Sequence, residues 1–124
     1  MRDNASLTDF EAAVLERIAE ANPRYRDQVL ELIRCARVAT REWSGAGGFV
    51  TFAPNSAEFE PSNLELDAQA EIQLPNLRYG LGALLFVRDG KADWLELFTY
   101  DEEWRGDASG FRIVPAHVTK ADGS

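Results

Sequence analysis

Few residues of this chain have the chemistry for catalysis or ligation, and their spacing scatters them. The one cysteine, Cys35, and the one histidine, His117, stand in opposite halves of the sequence, so Cys35 has no neighbouring base to draw off its proton. Cys35 lies beside an apolar helical stripe and reads as a small core side chain. His117 follows Pro115 near a polar tail, with no neighbour in sequence to orient an imidazole, and reads as a surface or packed residue rather than a general base. Asp101, Glu102 and Glu103 are consecutive; on extended backbone successive side chains alternate sides, so three in a row form no cation cage. Carboxylates from separate strands, Glu65 or Glu71 with Glu96, would suit acid–base work only if a cleft gathered them. Ser44-Gly45-Ala46-Gly47-Gly48 has the glycine content of a phosphate loop but leaves a helix and enters a strand, the reverse of what a phosphate cradle needs. No nucleophile elbow, dinucleotide fingerprint or zinc-ligand spacing occurs. The expectation is no catalytic residue, no metal and no cofactor.

The elements that position these side chains centre on Leu81 to Tyr100. Two apolar runs flank Arg88-Asp89-Gly90-Lys91, and Asp-Gly is a preferred two-residue hairpin turn because both positions tolerate positive φ. This turn predicts Arg88 opposite Lys91, Val87 opposite Ala92, Phe86 opposite Asp93, Leu85 opposite Trp94 and Leu84 opposite Leu95. One face then carries Leu85, Val87, Trp94 and Phe98, the other Leu84, Phe86, Leu95 and Leu97. Both are apolar, so the hairpin is expected mid-sheet with cover on each side.

Upstream, Thr8-Asp9-Phe10-Glu11 has the form of a capping box, and Phe10, Val14, Ile18 and Ala21 make one helical stripe. Asn22-Pro23 ends that helix and suits the start of the next, with Asn22 as N-cap. Tyr25, Val29, Leu32, Ile33, Ala36 and Trp43 are expected on the buried side of the second helix. Arg34, Arg37 and Arg41 share another of its faces, read as a solvated stripe paired with Glu31 and Glu42 rather than an anion clamp. The glycines after Ser44 read as a C-cap and reversal into the strand Phe49 to Phe52. A long loop, Ala53 to Ser62, follows, with Phe59 as its anchor. From Leu64 to Leu74 apolar and polar residues alternate without a break, which predicts one strand with a solvated side, ended by Pro75. Phe111 to Val114 reads as a last short strand. The order gives an α+β domain over 1–124: two N-terminal helices on one face of a four- or five-stranded mainly antiparallel sheet, with 1–6 and 119–124 frayed.

The net charge is -8. Residues 1 to 43 hold seven Arg and eight acids, whereas residues 44 to 124 hold six basic residues and thirteen acids, so the strand-rich part carries the acidity. That balance argues against nucleic acid and anionic membranes, which demand a basic surface. No apolar run is long enough to span a bilayer and the N-terminus lacks an apolar secretory region, so the expected location is cytoplasmic. A lone cysteine fits a reducing compartment.

Arg41-Glu42-Trp43-Ser44-Gly45-Ala46-Gly47-Gly48-Phe49, with Leu95-Glu96-Leu97-Phe98-Thr99-Tyr100-Asp101-Glu102-Glu103-Trp104 later, resembles a group of small bacterial proteins in which a Gly-rich turn precedes a sheet ending in Leu-Glu-x-x-Thr-Tyr-x-x-x-Trp. The resemblance brings no activity with it. In size and acidity the chain is also similar to bacterial immunity proteins, which inhibit toxins by binding them. The leading expectation is a non-catalytic, acidic protein-binding module. Its site is the sheet face away from the helices, where Glu65, Asp67, Glu71, Trp94, Glu96, Phe98 and Tyr100, with Leu85, are expected to form an aromatic patch ringed by carboxylates. A basic protein or a second copy would occupy it. The alternative is a small-molecule pocket between helices and sheet, and an enzyme ranks third.

Overall fold

Two helices and a seven-stranded antiparallel sheet make up the described residues, 5–115, of the computed structural model. The fold is therefore α+β, with a larger sheet than the expected four or five strands. His117 and the tail after Pro115 lie outside the described residues, as does the start of the expected N-terminal fray.

Helix α1 (Asp9–Ala21) begins where the capping box puts it: Thr8 Oγ1 accepts from Glu11 N–H and Glu11 Oε1 accepts from Thr8 N–H, both at 3.0 Å. Its stripe Phe10, Val14, Leu15, Ile18 and Ala19 is buried. Asn22 caps no second helix; its side chain donates to the carbonyls of Ile18 and Asp67, both at 2.9 Å. A 3₁₀ turn (Pro23–Tyr25) leads to α2 (Arg26–Cys35), which is shorter than the apolar spacing suggested. Ala36 is already extended (ψ 138), and the following residues form β1 (Val38–Trp43). The β-branched Val38 and Thr40 and the ring of Trp43 suit a pleated surface, and pairing with β2 (Gly47–Phe52) outweighs weak helical propensity. Arg37 and Arg41 consequently share no helical face with Arg34. The Ser44 to Gly48 stretch is a strand-to-strand turn, closed by Ser44 N–H donating to Gly47 O at 2.9 Å, not a helix cap.

The Asp89-Gly90 turn joins β5 (Leu81–Arg88) to β6 (Lys91–Thr99), with φ of 53° and 78°. Arg88 faces Lys91 and Val87 faces Ala92, as the turn dictates. A bulge then takes up Asp93, and the register slips by one: Phe86 faces Trp94, Leu85 faces Leu95 and Leu84 faces Glu96. Because side chains alternate with period two, that single extra residue moves every subsequent β6 side chain to the opposite face relative to β5. Leu85, expected outward, is fully buried with Leu95 and Leu97, and Leu84 and Phe86, expected inward, lie outside.

Strands β3 (Leu64–Asp67), β4 (Ala70–Gln73) and β7 (Arg112–Pro115) complete a sheet of order β1-β2-β6-β5-β4-β7, with β3 paired to β5 beside β4. The predicted single strand from Leu64 to Leu74 is broken into β3 (Leu64–Asp67) and β4 (Ala70–Gln73). Gln69 at the break has φ 49° and its N–H donates to Asp67 Oδ1 at 2.8 Å. The alternation survives the break, with Leu66, Ala68, Ile72 and Leu74 all buried. Strand β7 (Arg112–Pro115) adds to β4. Arg17 Nε, donating to Ala68 O at 3.0 Å, and Asn22 tie the rim of β3 to α1. One core joins Val14, Leu15, Ile18, Val29 and Leu32 of the helices to Val50, Leu81, Leu85, Leu95 and Leu97 of the sheet, all 1% exposed or less. Each such side chain contributes about 1.5–3 kcal/mol by leaving water. The Ala53 to Ser62 loop closes the same core: Phe59, buried as its anchor, donates its N–H to Gly90 O at 2.9 Å, and Ser56 Oγ reaches Glu31 on α2.

Candidate functional site

Among the described residues the opposite face of the sheet has no such cover. The hairpin is mid-sheet as expected, but among the described residues only one of its two faces meets the core: Leu84, Phe86, Trp94 and Phe98 neither belong to the core cluster nor pack against it. They are half-buried by one another and by neighbouring strands. Phe86 and Trp94, opposite each other on β5 and β6, stack at 4.5 Å between ring centroids and 13° between planes. Arg88, next but one along β5, lays its guanidinium 5.2 Å from the Phe86 ring and 5.4 Å from the Trp94 ring, a cation–π arrangement that screens the stack. Trp94 Nε1 is buried and has no hydrogen-bond acceptor, a costly state for an indole N–H.

Farther along β6, Phe98 lies across Gly82, where a Cβ would come within 2.2 Å of the Phe98 ring and 2.7 Å of the Tyr100 hydroxyl. Glycine at 82 is what lets the ring fold flat onto the sheet. Tyr100, 48% exposed, meets Phe98 edge-on at 5.7 Å. Phe49, opposite Glu96 on β2 and 37% exposed, extends the strip toward β1.

The acids stand around these rings. Glu65 pairs with Phe86 and Asp67 with Leu84 across β3–β5, and Glu96 lies between Leu84 and Phe49. Glu71, adjacent to buried Ile72 on β4, falls on the same side by alternation. Of the residues singled out from sequence, Glu65, Asp67, Trp94, Glu96, Phe98 and Tyr100 lie together on this face and Glu71 sits at its far rim. Leu84, Phe86, Phe49 and Arg88 join them. The first two were hidden by the bulge. Phe49 could have been found from its alternation with buried Val50, and Arg88 from its place beside the turn.

The arrangement does not assemble an acid–base pair. Strand β5 separates Glu65 from Glu96 by two inter-strand spacings, and the register sets them two residues apart along the strands, about 12 Å in all, while Glu65 faces Arg88 at 3.8 Å. The acid run after Tyr100 is likewise dispersed: Glu102 accepts the N–H groups of Arg78 and Tyr79 at 2.8 and 2.6 Å, and Glu103 pairs with Arg105. Cys35 is half-buried at the end of α2. Among the described residues no three His, Cys, Asp or Glu side chains are grouped to hold a metal ion, and no helix is long and apolar enough to cross a membrane.

A second locus lies at the other edge of the core. Glu11, the third helical residue of α1, is buried, and Arg41 of β1 grips it with Nε on Oε2 at 2.7 Å and Nη2 on Oε1 at 2.8 Å, while Nη2 also reaches Ser6 O at 2.8 Å. The carboxylate hydrogen bond holds the Arg41 guanidinium above its usual pKa, against the opposing effect of burial. Beside the pair opens a cavity of about 400 Å³. This pair was invisible in sequence because its members stand on different elements.

Comparison with protein-family models, with curated proteins and with solved structures finds no match to this chain.

Proposed function

We propose that the protein is a non-catalytic binding module that takes a basic protein partner on the outer face of its sheet. The observation that carries this reading is the stacked Phe86–Trp94 pair with Leu84, Phe98 and Phe49, an apolar strip detached from the core and bordered by Glu65, Asp67 and Glu96. Contiguous half-buried rings bordered by exposed Phe49 favour association, because rigid side chains bury area at little cost in rotamer entropy. The carboxylates select a cationic surface and raise its encounter rate. A second copy of the chain is the poorer occupant. Face-to-face pairing would set one acid-bordered strip against another, and among the described residues the cations at the hairpin end of that face, Arg88 and Lys91, already face Glu65 and Glu58. An inhibitor of the immunity type, holding a basic toxin, would use such a surface.

The test is capture from extracts of the source organism with wild-type protein and with Trp94→Ser and Glu65→Lys/Glu96→Lys variants, followed by binding of the purified partner. A basic protein that binds wild type, is weakened by both variants and is released as salt rises is the expected result. Recovery of no such partner, or sedimentation of the isolated protein as a dimer that Trp94→Ser dissociates, would overturn the reading.

A further inference from the structure

The pairing register of the outer face sets its acids in a line. Glu42 of β1 faces Phe49 of β2, Phe49 faces Glu96 of β6, Glu96 faces Leu84 of β5, and Leu84 faces Asp67 of β3. Directly paired residues point to the same side of a sheet. One row therefore crosses five strands as acid, apolar, acid, apolar, acid. Glu42, Phe49 and Asp67 are exposed, and Leu84 and Glu96 are half-buried. The Phe86–Trp94 stack flanks this row on one side and Phe98, opposite Gly82, on the other. Among the described residues none of the three carboxylates has a Lys or Arg partner within ion-pair distance. Asp67 Oδ1 accepts the Gln69 N–H, a bond that leaves its charge uncompensated.

The row also carries a length scale. Successive acids stand two inter-strand spacings apart, about 9.5 Å, and Glu42 stands about 19 Å from Asp67. An α-helix rises about 10.5 Å over seven residues. Side chains at i, i+7 and i+14 of one helical stripe thus meet the three acids, and the long stems of Lys or Arg take up the difference of about 1 Å per interval. The turns between them, at i+3/i+4 and i+10/i+11, come over Phe49 and Leu84. An extended segment has no such match, because its same-side residues recur at about 6.5 and 13 Å. Along β6 a single acid, Glu96, stands between Trp94 and Phe98, so the periodic charge runs across the strands rather than along them. We propose that this face receives a basic amphipathic helix of its partner, laid across the strands, with cations on Glu42, Glu96 and Asp67 and apolar side chains on Phe49 and Leu84. The proposal rests on the protein-partner reading above and specifies the element that the partner presents.

The test titrates ¹⁵N-labelled protein with two capped Ala/Gln peptides of equal composition. Both carry Leu at i+3, i+4, i+10 and i+11; one has Lys at i, i+7 and i+14, the other at i+2, i+6 and i+13 on the opposite side of the helix. The first should bind with a Kd of about 0.1–1 mM, the range for a few exposed ion pairs and apolar contacts. It should shift the amides of all five row residues, become helical by transferred nuclear Overhauser effects, and weaken as salt rises. The second should bind at least about tenfold more weakly. Glu42→Gln and Asp67→Asn, at opposite ends of the row, should each weaken the first peptide about fivefold, the loss of one ion pair at about 4 Å in water. Equal binding of the two peptides, shifts that run along β6 instead of across the five strands, an extended bound peptide, or end variants that bind normally would each overturn the proposal. Its failure is distinct from failure of the partner reading: a captured basic protein that needs Trp94 but is indifferent to Glu42→Gln and Asp67→Asn ends the helix assignment alone, whereas recovery of no basic partner ends the reading beneath it.

Discussion

Arg41→Met is the substitution whose cost the geometry defines best. It removes two charge-assisted hydrogen bonds to Glu11 and one to Ser6 O, and leaves a carboxylate whose side chain is 4% exposed and which keeps the Thr8 N–H as a donor. Breaking such a pair costs about 3–5 kcal/mol, chiefly because a charge is stranded away from water. Arg41 is itself 21% exposed and borders the cavity, so water reaches the vacated site and the lower end, about 3 kcal/mol, applies. For a chain of 124 residues that is about 10 °C in Tm. Urea unfolding followed by far-UV circular dichroism and by tryptophan fluorescence measures it, with an unchanged m-value as the condition for reading the midpoint as stability. The double variant Glu11→Leu/Arg41→Met strands no charge and loses only half of the capping box, so it should cost about 1 kcal/mol, less than Arg41→Met alone. A single variant losing under about 1 kcal/mol, or a double variant whose loss is the sum of its parts, would refute the argument, since a coupled pair must be strongly non-additive.

Two further outcomes follow from local geometry. Gly47→Ala should destabilise by about 3 kcal/mol, because φ is 140° and a Cβ would lie 2.0 Å from the Leu97 carbonyl oxygen, while Gly45→Ala, with φ 88° and open space around it, should cost only about 1 kcal/mol of backbone strain; equal losses in chemical denaturation would remove the steric part of that account. Asp107 is held below the usual aspartate range by hydrogen bonds from the Ser109 hydroxyl and N–H. A lowered folded pKa means that its contribution is present above the unfolded value and disappears as pH falls through the folded one. The Ser109 amide resonance should therefore keep its neutral-pH position through the ordinary aspartate range and move only at lower pH, and a midpoint at or above that range would contradict the bonding.

The sequence by itself determined the features whose causes are local. The capping box at Thr8 and Glu11, the Asp89-Gly90 turn and the alternation from Leu64 to Leu74 each depend on residues within a few positions of one another, so the chain carries them openly. Alternation within each strand put Glu65 with Asp67, and Trp94 with Glu96 and Phe98, on common sides for the same reason, while which side the helices cover was not legible. Tertiary structure decided the rest. One bulged residue, Asp93, chose which side Leu84, Leu85 and Phe86 take, and pairing with β2 drew Val38 to Trp43 out of the helix their spacing suggested. The Glu11–Arg41 pair and the cavity beside it exist only once α1, β1 and the turn before β7 meet. A bulge, a strand pairing and a buried ion pair draw their free energy from partners distant in the chain, and no local pattern records such a partner.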